Sequence, residues 1–298
     1  MPQTTLSIQT TNHIRDIRPA HWDTLNKIAG GSFLTSHAML NGFEMSNSVS
    51  PSTGWQAQHL QIKLGEELIA VMPLYAKSHS YGEFIFDWTW AQAYEQHGID
   101  YYPKWLCGVP LTPVQGPRLL CLPEHKTIVA GALKQLVQKS GLSSMHVLFT
   151  EDDDQQALQD AGFVRRTHLQ FHWRNQGWAS FEAFTQSLSR SKRKNIRQER
   201  QKVAAANIQT GIKTGTQITA ADWAFFYQCY ANTYSVRGRT PYLSKAFFDW
   251  VGDALPQHCV MSIAYRDQQP IASALCWYET RHEEKRLYGR YWGSLQEI

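Results

Sequence analysis

Residues 57–78 read AQHLQIKLGEELIAVMPLYAKS, a strand, a charged turn and a second strand. Residues 259–280, CVMSIAYRDQQPIASALCWYET, have the same form. Each turn is followed by an Ile-Ala step that opens the second strand, Ile69-Ala70 and Ile271-Ala272, at an offset of 202. An aromatic stretch follows each hairpin, YGEFIFDWTW from Tyr81 and RLYGRYWG from Arg286, and both are expected as strands. Repetition at a fixed offset is the signature of a duplicated unit. It predicts an α/β (α+β) chain with mixed sheets, divided into units 1–178 and 179–298.

The rest of the first unit follows in a readable order. YYPKWLCGVPLTPVQGPRLL, from Tyr101, is a strand running into a Pro/Gly loop. EHKTIVAGALKQLVQKSG carries apolar residues at 128, 129, 132, 133, 136 and 137, a helical stripe. SMHVLFT is a short buried strand, and EDDDQQALQDAGF an acidic-headed helix ending at Gly162. VRRTHLQFHWRN alternates, with Thr167, Leu169, Phe171 and Trp173 on one side, which predicts a half-exposed strand. The second unit begins with a helix capped by Ser180 and continues through a basic segment, a strand, two helices and the second hairpin. By the spacing of the first unit, the second stands incomplete, roughly 77 residues short.

The 298 residues are 43% hydrophobic and 18% charged, the balance of a folded chain. The N-terminal stretch has no apolar signal-peptide core, and the best apolar run, Leu68–Ala76, is too short to span a bilayer. The five cysteines, 107, 121, 229, 259 and 276, form no C-x-x-C pair and sit in apolar surroundings. They read as reduced core residues of a cytoplasmic protein with no membrane insertion.

The charge is concentrated. LSRSKRKNIRQERQKV, residues 188–203, carries +6, while the whole chain carries +4. On a helix, Arg190, Arg193, Arg197 and Arg200 share a face and Lys194 lies beside it. A solvated face usually mixes signs, so this one is either an unusually unbalanced solvated helix or a phosphate-binding surface. The candidate ligands are a nucleotide-linked sugar, coenzyme A or tRNA.

The second candidate site is the aromatic and polar stretch 84–105. Asp87, Trp88, Tyr94, His97, Tyr101 and Lys104 fall in a loop-like region between strands, where binding residues concentrate. They are expected to border one cleft with Gln115 or Arg118, with Asp87 as general base or amine-orienting carboxylate. Gly116 permits close backbone approach and Arg118 suits a phosphate, although the two prolines of TPVQGPRLL remove donors and also suit a structural turn. His168 and His172 have the spacing of a helical zinc pair but fall on a strand face with Arg166 and Arg174, so no metal site is expected. No phosphate-binding Walker loop is present.

Five motifs, GEFIFDWTWAQAYEQHGIDYYPKW (82–105), VPLTPVQGPRLL (109–120), SRSKRKNIRQER (189–200), RGRTPYL (237–243) and LYGRYWG (287–293), resemble the Fem-like family of predicted N-acyltransferases and peptidoglycan biosynthesis and recognition proteins. The order of elements is similar to two GNAT acyltransferase folds in tandem. The resemblance implies acyl or aminoacyl transfer to an amine of a cell-wall precursor or small metabolite, with acyl-CoA or aminoacyl-tRNA as donor. The alternative reading is a non-catalytic module that recognises a phosphate-bearing ligand such as a peptidoglycan precursor or RNA.

Overall fold

The computed structural model describes residues 5–296. The long first hairpin is built from four short strands. After β1 (Leu6–Thr11), α1 (Pro19–Ile28) and α2 (His37–Met45), the chain forms β2 (Trp55–Ala57) and β3 (His59–Leu64), turns at Gly65, and returns as β4 (Glu67–Met72) and β5 (Leu74–Lys77). Gly65 sits at φ +63°, a conformation that glycine adopts without strain. Pro73 has no N–H to give the ladder, and it separates β4 from β5. Opposite it, Gln58 N–H bonds Leu74 O at 2.8 Å and carries the hairpin across the break. The bent hairpin therefore serves two sheets. One has the order β1-β3-β4-β7, with β7 at Leu120–Cys121, and the other the order β2-β5-β6-β8.

β6 (Lys104–Cys107) is antiparallel to β5 and parallel to β8 (Met145–Val147), which is the edge of its sheet. Between these elements lie α3 (Trp88–Gln96) before β6, α4 (Lys126–Ser140) before β8, and α5 (Asp152–Asp160) after it. The C-terminal part carries α6 (Phe181–Ser187), α7 (Arg190–Ala205), β9 (Ile208–Thr214), α8 (Ala220–Ser235), α9 (Lys245–Ala254), β10 (Cys259–Arg266), β11 (Gln269–Arg281) and β12 (Glu284–Ser294). Its antiparallel sheet has the order β12-β11-β10-β9. The two hairpins thus lie in different sheets, each flanked by the strand that precedes it in the chain, β1 beside β3 and β9 beside β10. Local chemistry sets the helix starts. Thr219 and Asp222 cap each other's backbone at α8, and Ser244 Oγ accepts from Phe247 N–H at α9.

The apolar core runs across position 178/179. One cluster joins Phe33, Leu34, Phe43, Trp55 and Tyr75 to Trp223, Phe226, Phe247, Phe248 and Trp277. Phe43 stacks on Phe247 with ring centroids 4.6 Å apart. A second cluster sits under α4 and α5, and a third surrounds Trp22. Buried polar contacts reinforce the junction. Glu279 accepts from Ser32 Oγ at 3.1 Å, Phe33 N–H at 3.2 Å and Tyr288 OH at 2.7 Å. Arg281 meets Glu151 at 2.6 Å.

Two strand expectations are corrected. YGEFIFDWTW is a coil that enters α3, so Trp88, Trp90 and Tyr94 ride on a helix and do not alternate on a sheet. Phe84 has φ +57°, which no strand residue adopts. The strand following the first hairpin is β6. VRRTHLQFHWRN also forms no strand: residues 163–178 are irregular, without a ladder. Alternation needs a partner to become a strand, and the nearest edge, β8, is separated from residues 163–172 by a cavity that both line. The cysteines are all free thiols, Cys276 half-buried and the other four buried.

Candidate functional site

The site grows from two lysines. Lys77 ends β5 and Lys104 begins β6, and the ladder sets them directly opposite each other. Both are fully buried. Like charges facing across a ladder repel, so the fold must surround them. Lys77 Nζ lies 3.7 Å from the centre of the Trp55 ring and donates to Tyr81 O at 3.4 Å. Lys104 Nζ donates to Glu83 Oε2 at 2.8 Å, to Ser80 Oγ at 2.8 Å, and to Asp87 Oδ2. Asp87 occupies the cap position of α3 but makes no capping bond. Its carboxylate is turned inward to Lys104 and Tyr101, while the helix N-terminus still favours its charge.

Tyr101 OH donates to Asp87 Oδ2 at 2.7 Å and lies 3.3 Å from His146 Nε2. Burial pushes the Asp87 carboxyl up, but hydrogen bonds from Lys104, Tyr101 and Ser80 outweigh it and leave the group below the usual range. An ionised carboxylate only accepts, so the phenol proton points to Asp87. The phenol oxygen then accepts from His146 Nε2–H, which leaves Nδ1 as the acceptor of that ring. Burial, reinforced by Lys104, lowers His146 to about 4, with Arg166 contributing in the same direction, so the imidazole is neutral at pH 7. Burial lowers Lys77 to about 7, against the pull of Glu83. Glu83 is raised, because burial exceeds the opposing effect of Lys104.

Two cavities flank this cluster. One, of about 680 Å³, is lined by Trp88, Gln92, Glu95, Asp100, Tyr101 and Tyr102 among others. The other, of about 500 Å³, lies between the β8 edge and the irregular segment 163–172, and His146, Trp90, Gln115, Arg165, Arg166 and His168 are in its wall. Arg166 is held by Phe86 O at 2.6 Å, and Gln170 by Pro113 O at 3.0 Å. Among the described residues, Glu83, Asp87 and His146 form the one group whose ligand atoms are close enough for a shared cation. The Lys104 ammonium already bonds both carboxylates of that group, so a divalent ion would have to displace it.

The residues expected to share one cleft are divided by the fold. Asp87, Tyr101 and Lys104 come together, but Asp87 and Lys104 are buried and line neither cavity. Asp87 therefore reaches a ligand only through Tyr101 and His146. Trp88 and Tyr101 line the larger cavity and Gln115 the smaller. Tyr94 packs edge-on against Tyr101 with centroids 5.1 Å apart, and exposed His97 bonds Ala93 O at 2.8 Å within its own helix. Arg118, weighed both as a phosphate ligand and as part of a structural turn, is almost wholly buried. Its buried guanidinium donates to the carbonyls of Val114 at 2.6 Å, Leu148 at 2.8 Å and Pro117 at 2.9 Å, and so braces the Pro/Gly loop from within.

Arg190, Arg193, Lys194 and Arg197 lie on α7, away from both cavity walls, with Arg193 half-buried and the others exposed. Arg197 meets Glu182 at 3.4 Å, and Arg193 donates to Gln186 O at 3.1 Å. His146 was missed by the sequence reading. The available signal was a single titratable residue in the apolar strand MHVLF.

The model of the FemAB-like family, described as peptidoglycan biosynthesis/recognition, matches residues 13–298, and the chain belongs to that family. No curated protein matches it. No helix among the described residues is long and apolar enough to cross a membrane.

Proposed function

We propose that this protein is a Fem-like N-acyltransferase that joins an acyl or aminoacyl group to an amine of a peptidoglycan precursor or related small metabolite, on two GNAT-like units divided near 178/179. The family match and the parallel β6–β8 pair following an antiparallel hairpin support this reading. The observation that carries it is the chain of hydrogen bonds from Asp87 through Tyr101 to His146 at the wall of the 500 Å³ cavity.

In this mechanism the acceptor amine attacks the acyl carbonyl beside His146. Nδ1 takes the proton that the nitrogen sheds, and Nε2–H is steadied by Tyr101 and, through it, by Asp87. The proton then passes to the departing ribose hydroxyl or thiol. Arg166 helps hold the free imidazole far below neutrality. A donor bearing phosphates, aminoacyl-tRNA or acyl-CoA, would pair with Arg165 and Arg166 in the cavity wall and offset the Arg166 contribution, which is smaller than those of burial and Lys104. The cations of α7, Arg190, Arg193, Lys194 and Arg197, serve a phosphate-bearing partner outside the cavity.

Transfer from aminoacyl-tRNA and from acyl-CoA to a precursor amine should be assayed with His146→Gln. The expected loss is about 10²–10⁴-fold in turnover, with donor binding retained. Unchanged turnover in His146→Gln removes the assignment.

A further inference from the structure

We infer that residues 163–203 form a docking surface for an anionic membrane, which names the phosphate-bearing partner of α7 in the reading above. The segment contains ten Lys or Arg residues and two acids, Glu182 and Glu199, a net +8 in a chain of net +4. Large apolar side chains stand in water along the same segment: Val164 is 90% exposed, Leu169 81%, Phe171 92%, Trp173 65% and Phe181 50%.

The apolar and basic parts are contiguous. Leu169, Phe171 and Trp173 are exposed neighbours, two residues apart, in one stretch without a ladder. Trp173 packs on Trp178 and Phe184 with centroids 5.7 and 5.8 Å away. Phe184 meets Phe181 at 5.9 Å, and Phe181 lies 4.6 Å beneath the Arg200 guanidinium of α7. A single surface therefore carries exposed apolar residues bordered by a basic helix.

That combination matches the water–lipid interface, where apolar side chains enter the acyl boundary and Lys and Arg meet anionic headgroups. A nucleic acid would satisfy the cations and stack on the aromatics. It gives nothing to Leu169, which has no ring face. Helix α7 has only exposed or half-buried residues and is far from the apolarity of a spanning helix, so the surface lies on the bilayer.

The test uses the full chain and vesicles of phosphatidylcholine with or without phosphatidylglycerol, read by co-sedimentation. The protein should sediment with the phosphatidylglycerol vesicles and remain in solution with phosphatidylcholine alone. Leu169→Ser with Phe171→Ser should lower partitioning by about tenfold, and Lys192→Glu with Lys194→Glu should do the same. All four side chains are exposed, and a thermal melt verifies that each variant stays folded. Absence of binding to phosphatidylglycerol vesicles overturns the inference, as does binding indifferent to Leu169→Ser and Phe171→Ser. Capture of a tRNA transcript without vesicle binding assigns the surface to nucleic acid and overturns it too. Vesicle binding is read without turnover, so its failure leaves the transferase proposal standing, and an inactive transferase leaves this surface intact.

Discussion

The Tyr101 hydroxyl lies 2.7 Å from Asp87 Oδ2 and 3.3 Å from His146 Nε2, so one phenol links a fully buried carboxylate to an imidazole on a cavity wall. The ring also lines the other cavity, so it forms part of the partition between the two. Tyr101→Phe keeps this shape and deletes both hydrogen bonds. Losing a bond to a charged group costs about 1.5–3 kcal/mol, and Asp87 keeps Lys104, so the variant should fold with reduced stability. The His146 Nε2–H loses its acceptor, and the preference for that tautomer should fall in nitrogen-resolved NMR. A variant with wild-type stability, tautomer and turnover would show that the relay carries no function.

Lys77 should leave a mark on the pH dependence of folding. Its folded pKa of about 7 is below the 10.5 of an exposed lysine. Between those values the unfolded chain holds a proton that the folded chain has released, so this residue makes stability rise with pH across that window. Below about pH 7 both states are protonated and the full cost of burying the charge is present. Lys77→Met should therefore equal or exceed wild type by about 1–4 kcal/mol at pH 6, the range seen when buried charges give way to apolar groups. The advantage should shrink toward pH 10. Parallel urea melts of the two proteins at several pH values cancel the contributions of the tyrosines and cysteines. An advantage that stays constant with pH would contradict the assignment.

Close approach of α8 to β12 gives a prediction with an internal control. A Cβ at Gly293 would lie 2.0 Å from Cys229 O and 2.8 Å from Thr233 Oγ1, both on α8. Thr233 and Asn232 fix that separation through bonds to Trp292 O at 3.1 Å and Ser294 O at 2.8 Å. Gly293→Ala must push the helix from the sheet, at about 1–3 kcal/mol or more. Gly289 is on the same strand, and a Cβ there meets nothing within 4 Å. Thermal melts should show a clear drop for Gly293→Ala and a much smaller one for Gly289→Ala. Equal effects would mean that the strand tolerates neither alanine for reasons other than this contact.

What the sequence disclosed was local. Both hairpins, the capped helix at Ser180, the basic helix and the strand around His146 were legible because period and turn chemistry are encoded within a dozen residues. The errors arose where a distant partner decides. Alternation from Thr167 to Trp173 describes a chain that could enter a ladder, but the adjoining edge stands across a cavity. The aromatic run from Phe84 to Trp90 resembled a strand because tryptophan and phenylalanine favour sheets, while the contacts of Asp87 with Lys104 and Tyr101 hold its carboxylate inward at the start of a helix. Asp87 and Lys104 read from the sequence as the base and a binding lysine of an open cleft, and nothing in the chain indicates that seventeen residues apart they neutralise each other in the interior. His146 acquires its significance only from Tyr101, forty-five residues earlier.

The last prediction concerns how the sheets unfold. Phe247 is fully buried on α9 and stacks on Phe43 of α2 at 4.6 Å. Around that pair, Ser244 Oγ donates to Ser46 O at 2.9 Å and Trp250 Nε1 to Ala38 O at 3.0 Å. If this core is one cooperative unit, Phe247→Ala should cost about 3–5 kcal/mol, the usual range for a buried phenylalanine. The destabilisation should reach both hairpins. Native-state hydrogen exchange reads them separately, through the amides of β3–β4 and of β10–β11. In a cooperative core both sets lose protection by the same amount. Loss confined to β10–β11, with β3–β4 unchanged, would mean that the two sheets unfold independently and that the shared apolar cluster does not couple them.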